Sequence, residues 1–192
     1  ATFNFFNSST WNGSTWSNGV PSAALDAIIA ENFSSTSSGD TAGFTAKTLT
    51  VNSSKTFTIN SGHTVTVAGA ITNNNGTFNV ENNANLVQTN TTTVTNSGNI
   101  IVKRNSASIQ LYDYTLWSSP VAGQNLKSFS PNTLNNRFYS YDSSQNLYSA
   151  VNPLTTAFAT ATGYLIRAQY YDTLIANIKE GINMLIREPK NK

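Results

Sequence analysis

The chain of 192 residues carries 11 Lys and Arg, 9 Asp and Glu, a single His and no Cys, for a net charge of +2. Charged residues make up only 10%, hydrophobic residues 39% and aromatic residues 11%, which excludes charged disorder while leaving enough apolar chain for a core. The missing Cys excludes a disulfide framework and a Cys-based zinc site, and no apolar run reaches the ~18 residues of a membrane span.

Asn, Ser and Thr replace the missing charge. Residues that hydrogen-bond locally or branch at Cβ suit short strands joined by tight turns. Lys103-Arg104 is the only adjacent basic pair, so no basic stripe marks a nucleic acid as a partner. The opening ATFNFFNSST has neither a basic n-region nor an apolar h-region, so an exported form would already have lost its signal peptide.

In chain order, TWNGSTWSNGVP (10–21) sets two Trp among turn formers. The apolar run Ala27-Ile28-Ile29-Ala30 then predicts the first buried strand. From 48 to 67 the chain writes TLTV, TFTI and TVTV, with Leu49, Val51, Phe57, Ile59, Val65 and Val67 on alternate positions. Alternation of this kind puts one set inside and the threonines outside. Further short strands centre on Ile71, Phe78/Val80, Leu86, Val94 and Ile100/Val102. The steps Leu49→Ile71→Val94, Phe57→Phe78→Ile100 and Val65→Leu86 are each 21–23 residues, and Asn52, Asn74 and Asn96 keep the same interval. Such spacing, too short for intervening helices, predicts an all-β fold: a right-handed parallel β-helix of about 22 residues and three short strands per coil. A meandering antiparallel sandwich is the competing architecture.

After Arg104 the repeat stops. Residues 105–168 are aromatic-rich and predict a small β-rich module. In 169–192, Leu174, Ile178, Ile182 and Leu185 recur at helical spacing, predicting an amphipathic terminal helix. The expected organisation is therefore a cap and β-helix over 1–104, the β module over 105–168 and the helical arm over 169–192.

The pieces TWNGSTWSNGVP (10–21), DAIIAENFS (26–34), NIIVKRN (99–105), YDYTLWSSPVAGQNLKSFSP (112–131), RFYSYD (137–142) and TGYLIRA (162–168) resemble large secreted surface proteins of Flavobacterium and related Bacteroidetes, exported by the type IX secretion system. The resemblance spans about residues 10–168. It implies an extracellular or cell-surface location and an adhesin-like role. Relatives continue past the GYLIRA segment into further β domains and a sorting domain, where this chain turns into the helical arm. No catalytic motif comes with the resemblance.

The residues themselves offer little chemistry. His63, in the connector NSGH, has no neighbouring partner in sequence and is expected as an exposed corner residue. Glycoside hydrolysis or a lyase reaction needs paired acids or a positioned base. Before residue 103 the acids are Asp26, Glu31, Asp40 and Glu81, no two in one column, while Asp113 and Asp142 are left as a candidate pair. No catalytic residue, metal ligand or cofactor is assigned. The main expectation is a non-enzymatic extracellular structural or adhesion module, a rigid stalk presenting surfaces to polysaccharide or neighbouring cells. Trp11, Trp16, Trp117, Tyr112 and Tyr114 are its candidate sugar-stacking rings, with burial in the core as their other use. A carbohydrate-active β-helix enzyme is the alternative. A second alternative is ice binding through Thr-x-Thr rows, with Thr48, Thr50, Thr72, Thr93 and Thr95 as the water-facing set.

Overall fold

The computed structural model describes residues 6–36, 43–90, 94–110, 112–160 and 162–168. The helix expected over 169–192 and the candidate Thr93 lie outside them. The chain divides into two compact units between Asn105 and Ser106.

Unit 1 is a parallel β-solenoid. The strands β1 (Ser8–Trp11) and β2 (Asp26–Ile29) pair in parallel, Trp11 opposite Ile29. Thus the Ala27–Ile29 run forms the second strand and not the first: SSTW, polar as it reads, buries Ser9 and Trp11 against it. Next come β3 (Phe33–Ser34) and β4 (Thr45–Ala46). TLTV, TFTI and TVTV then supply β5 (Leu49–Val51), β6 (Thr56–Ile59) and β7 (Thr64–Val67), three sides of one coil. The following coil repeats them as β8 (Ile71–Asn73), β9 (Thr77–Val80) and β10 (Asn85–Gln88), and β11 (Ile101–Val102) continues one side. Three parallel sheets result, ordered β1-β2-β5-β8, β4-β7-β10 and β3-β6-β9-β11.

The register stacks Leu49 on Ile71, Phe57 on Phe78 and Val65 on Leu86. All six alternating residues of the TLTV–TFTI–TVTV coil are fully buried. Burying a Val, Leu, Ile or Phe side chain stabilises by roughly 1.5–3 kcal/mol, so this inward set is the main support of the fold. An aromatic column runs through it. Phe33 stacks on Phe57 at 5.2 Å between centroids, and Phe57 meets Phe78 edge-on at 4.7 Å. At the N-terminal end, Trp11, Trp16 and Phe44 close over Phe33.

The 22-residue step holds from β9 to β11, keeping Ile100 over Phe78, but fails on the β8 side. Thr72 pairs with Ser97, so neither Val94 on Ile71 nor Asn96 on Asn74 is realised, and Val94 is in no strand. The cause is Asn73, whose side chain takes an inward position and is 6% exposed. A buried amide must be paired. It donates to the Gly76 and Asn99 carbonyls at 2.9 and 2.7 Å and accepts from the Gly76 N–H at 2.9 Å. Gly98, at φ 83°, passes so close to Asn73 that a Cβ there would collide with its backbone. Asn96 instead accepts from the Ile71 N–H through its side chain at 2.9 Å.

Unit 2 is an antiparallel sheet of β12 (Tyr114–Trp117), β13 (Phe138–Asp142), β14 (Leu147–Ala150) and β15 (Tyr164–Arg167), in the order β12-β15-β13-β14. One short helix, α1 (Leu126–Phe129), is capped by Asn125, whose side chain accepts from the Lys127 and Ser128 N–H groups. Its core is Leu126, Phe138, Phe158, Tyr164 and Ile166, with Trp117 and Val151 against it.

Candidate functional site

Side chains alternate across a strand, so burying Phe138, Tyr164 and Ile166 turns their neighbours the other way. Tyr114 stands opposite Arg167 and Leu116 opposite Leu165. Tyr139 also faces Leu165, and Tyr141 faces Tyr148. Arg137 ends the 3-10 turn Asn135–Arg137, is half-buried, and interacts with Tyr139 and Tyr114 on that side. The outcome is a sheet face of tyrosines, leucines and two arginines. Leu116 is 60% exposed, Tyr148 48%, Tyr141 45% and Tyr114 38%.

The arginine end of this face is the most structured. The Tyr114 and Tyr139 rings meet edge-on at 6.0 Å. The Arg167 guanidinium carbon sits 5.2 Å from the centre of the Tyr112 ring, within cation–π range. Hydrogen bonding with Arg137 lowers the pKa of Tyr139, helped by Tyr114 and by the charges of Arg137 and Arg167, while desolvation opposes it. In turn Arg137 is raised, first by Tyr139 and then, against desolvation, by Tyr114. Its Nε is nevertheless buried without a hydrogen-bond partner. Tyr112 has φ 82°, a left-handed value that a bulky residue rarely adopts, and it is 64% exposed. Backbone strain of this kind is commoner at binding and active sites than elsewhere. At the opposite end, the Tyr141 hydroxyl donates to Asn146 Oδ1 at 2.8 Å and its ring lies 5.2 Å from that of Tyr148.

The sugar-stacking candidates from the sequence therefore separate. Tyr112 and Tyr114 stand in the outward cluster. Trp11 and Trp16 are buried at 2% and 8% exposure in the solenoid core, where no ligand ring can reach them. Trp117 is half-buried on the core side of its sheet, edge-on to Phe129 at 5.1 Å. Missing from that set were Arg137, Tyr139, Tyr141, Tyr148 and Arg167. The period-2 pattern of RFYSYD already carries a signal for two of them: Phe138 inward sets Tyr139 and Tyr141 outward.

Asp113 and Asp142 do not form a pair. The Asp113 carbonyl accepts from the Ala168 N–H at the start of the sheet, whereas Asp142 pairs with Leu147 beyond the Ser140–Tyr164 rung. At ~3.3 Å per residue the two lie about 20 Å apart along the strands, too far for the ~5–9.5 Å of a glycosidase pair. Each holds a turn. Asp113 Oδ2 accepts from the Gln110 N–H, and Asp142 Oδ1 from the Ser144 N–H and hydroxyl. Among the described residues, no group of three or more His, Cys, Asp or Glu is placed to hold a metal.

His63 is half-buried, and its Nδ1 lies 2.8 Å from Ser35 Oγ of the preceding coil. It is thus not the exposed corner residue expected. Ser35 also accepts from the Asn60 N–H at 2.9 Å and is itself fully buried, so the contact ties two coils together. Of the water-facing threonines, Thr50 and Thr72 stand side by side, but Ile28 precedes Thr50 in that row and Ser97, not Thr95, follows Thr72. The Thr48 hydroxyl donates to Asp26 Oδ1 at 2.7 Å.

A family model described as a domain of unknown function, DUF8693, matches residues 2–182, and the chain belongs to that family. No curated protein and no solved structure matches it.

Proposed function

We propose that this member of the DUF8693 family is a non-enzymatic extracellular module, a β-solenoid spacer joined to a sheet whose outward tyrosine face contacts carbohydrate. The observation that carries the reading is the exposure of Tyr112, Tyr114, Tyr141 and Tyr148 on one small unit whose core is already filled by other aromatics. A tyrosine offers a flat apolar ring and a polar tip, which suits a pyranose ring with its hydroxyls. Rings on paired strands lose little freedom on binding. Leu116 and Leu165 on the same face give the apolar floor against which a sugar ring would lie.

A surface location rests on the resemblance of residues 10–168 to secreted surface proteins. The solenoid's part is mechanical. Its column of buried rings and aliphatic side chains makes a stiff spacer, and its outward threonines and asparagines need no ligand.

A glycan array probed with the purified chain tests the reading, beside the Tyr114→Ala and Tyr141→Ala variants. Binding to one polysaccharide class, reduced in both variants with unchanged circular dichroism, is the expected result. Failure to bind any glycan removes the carbohydrate role and leaves the spacer alone. Protease accessibility on intact cells checks the location: protection until the cells are broken would overturn it.

A further inference from the structure

The arginine end of the outward face carries more specific information than the tyrosines alone. Arg137 ends the 3-10 turn Asn135–Arg137 that leads into β13, and Arg167 stands opposite Tyr114 at the end of β15, so both arginines lie against the Tyr114–Tyr139 ring pair. Like charges gathered on the same phenols repel. Among the described residues no carboxylate answers them: the ion pairs are Lys47–Asp26, Lys55–Glu31 and Lys103–Glu81, all in the solenoid. Around the two guanidiniums stand Tyr112, Tyr114 and Tyr139. These phenols soften the charge without neutralising it. Arg137 keeps a buried Nε–H with nothing to donate to.

We propose that Arg137 and Arg167, gathered on the Tyr114–Tyr139 pair, bind the carboxylates of an acidic, uronate-type polysaccharide, with Tyr112 and Tyr114 stacking on its sugar rings. This inference rests on the carbohydrate reading above and names its ligand class. Guanidinium is a planar fork that matches a planar carboxylate with two parallel hydrogen bonds. Two such forks against one pair of tyrosine rings present a positive site beside flat apolar faces. Nucleic acid, the other polyanion with stackable rings, calls for a broader basic track. The nearest thing to one, Lys103-Arg104, is engaged elsewhere: Lys103 pairs with Glu81 at 2.7 Å, and Arg104 donates to the Glu81, Lys103 and Ala84 carbonyls.

Isothermal titration of the full chain with sodium alginate oligosaccharide, neutral dextran oligosaccharide and an oligo-dT single strand tests this. Alginate is expected to bind, to weaken as salt rises, and to lose about tenfold or more in affinity in Arg137→Gln and in Arg167→Gln, as removal of one charged hydrogen-bonded contact predicts. Arg167→Lys keeps the charge but not the fork and should retain only part of the affinity. Lys47→Gln removes the same charge from the solenoid and should change nothing. Each variant is melted beside the wild type, and a binding loss counts only where the melt is unchanged. Should Arg137→Gln fail that check, Arg167→Gln and Arg167→Lys decide. Equal binding of dextran and alginate, insensitive to either arginine, overturns the acidic ligand and leaves the carbohydrate reading standing. Tighter binding of oligo-dT than of alginate also overturns it. Binding of neither sugar removes both.

Discussion

The two units treat aromatic residues in opposite ways. In the solenoid, Trp11, Trp16, Phe33, Phe44, Phe57 and Phe78 are all buried and touch one another along the axis. In the antiparallel unit, Phe138, Phe158 and Tyr164 are buried while Tyr112, Tyr114, Tyr141 and Tyr148 face out. The difference follows from topology. A parallel coil has one interior into which every strand must send its apolar set. A single antiparallel sheet has two faces, and among the described residues the core of this one lies on one of them. The rings of the first unit are therefore core, while those of the second divide between core and surface.

The sharpest way to break that contrast is to delete one ring from each. Phe57→Ala, between Phe33 and Phe78, should destabilise the solenoid by about 3–5 kcal/mol. Tyr141→Ala, which forfeits one exposed hydrogen bond and one ring contact, should cost no more than about 1 kcal/mol. Urea midpoints measure both, and similar losses would mean that the tyrosine face is packed and not presented. Gly98→Ala comes next in size. At φ 83°, with its Cβ driven into Asn73, it should lose about 1–3 kcal/mol, read as faster hydrogen exchange of Ser97 and Asn99 beside unchanged exchange in β6.

A finer test stays within the aromatic end of the solenoid. The Trp11 indole N–H donates to the Asn32 carbonyl at 2.9 Å, whereas that of Trp16 is buried with no acceptor. Trp11→Phe should therefore cost about 1 kcal/mol beyond its volume change, while Trp16→Phe should be neutral or stabilising. Equal losses would show that both indoles act by size alone.

The smallest effect belongs to Asp142. Hydrogen bonds from the Ser144 hydroxyl and N–H hold its carboxyl below the ordinary value of 3.8. A folded pKa below the unfolded one means that its contribution to the β13–β14 hairpin is complete above the unfolded value and disappears as pH falls through the folded one. Chemical-shift titration of Ser144 and Gln145 amides should then report a midpoint below 3.8, and a midpoint above it would contradict the turn geometry.

Much of the solenoid was legible because its signal is local. Strand alternation fixed which residues of TLTV, TFTI and TVTV point inward, and their recurrence fixed which stack on which for two coils. The step from Ile71 to Val94 was misjudged because composition cannot show that Asn73 turns inward and draws Asn99 and Gly98 to itself. The site was half legible. Tyr112 and Tyr114 stood out as aromatic among polar neighbours, but Arg137 and Arg167 lie 30 positions apart and reach the same tyrosines only through the order β12-β15-β13.

His63 and Ser35 make the same point at a coil corner. Each looks solitary in its own connector, and only the stacking of one coil on the next puts Nδ1 at 2.8 Å from Oγ. The sequence by itself determined the period, the inward set and the low charge, because these depend on neighbours one, two or about 22 positions away. Tertiary structure alone decided which rings became core, which acids stayed apart and which two arginines came to the same tyrosines. Those outcomes depend on strand order and register, and a chain states neither until its sheets have formed.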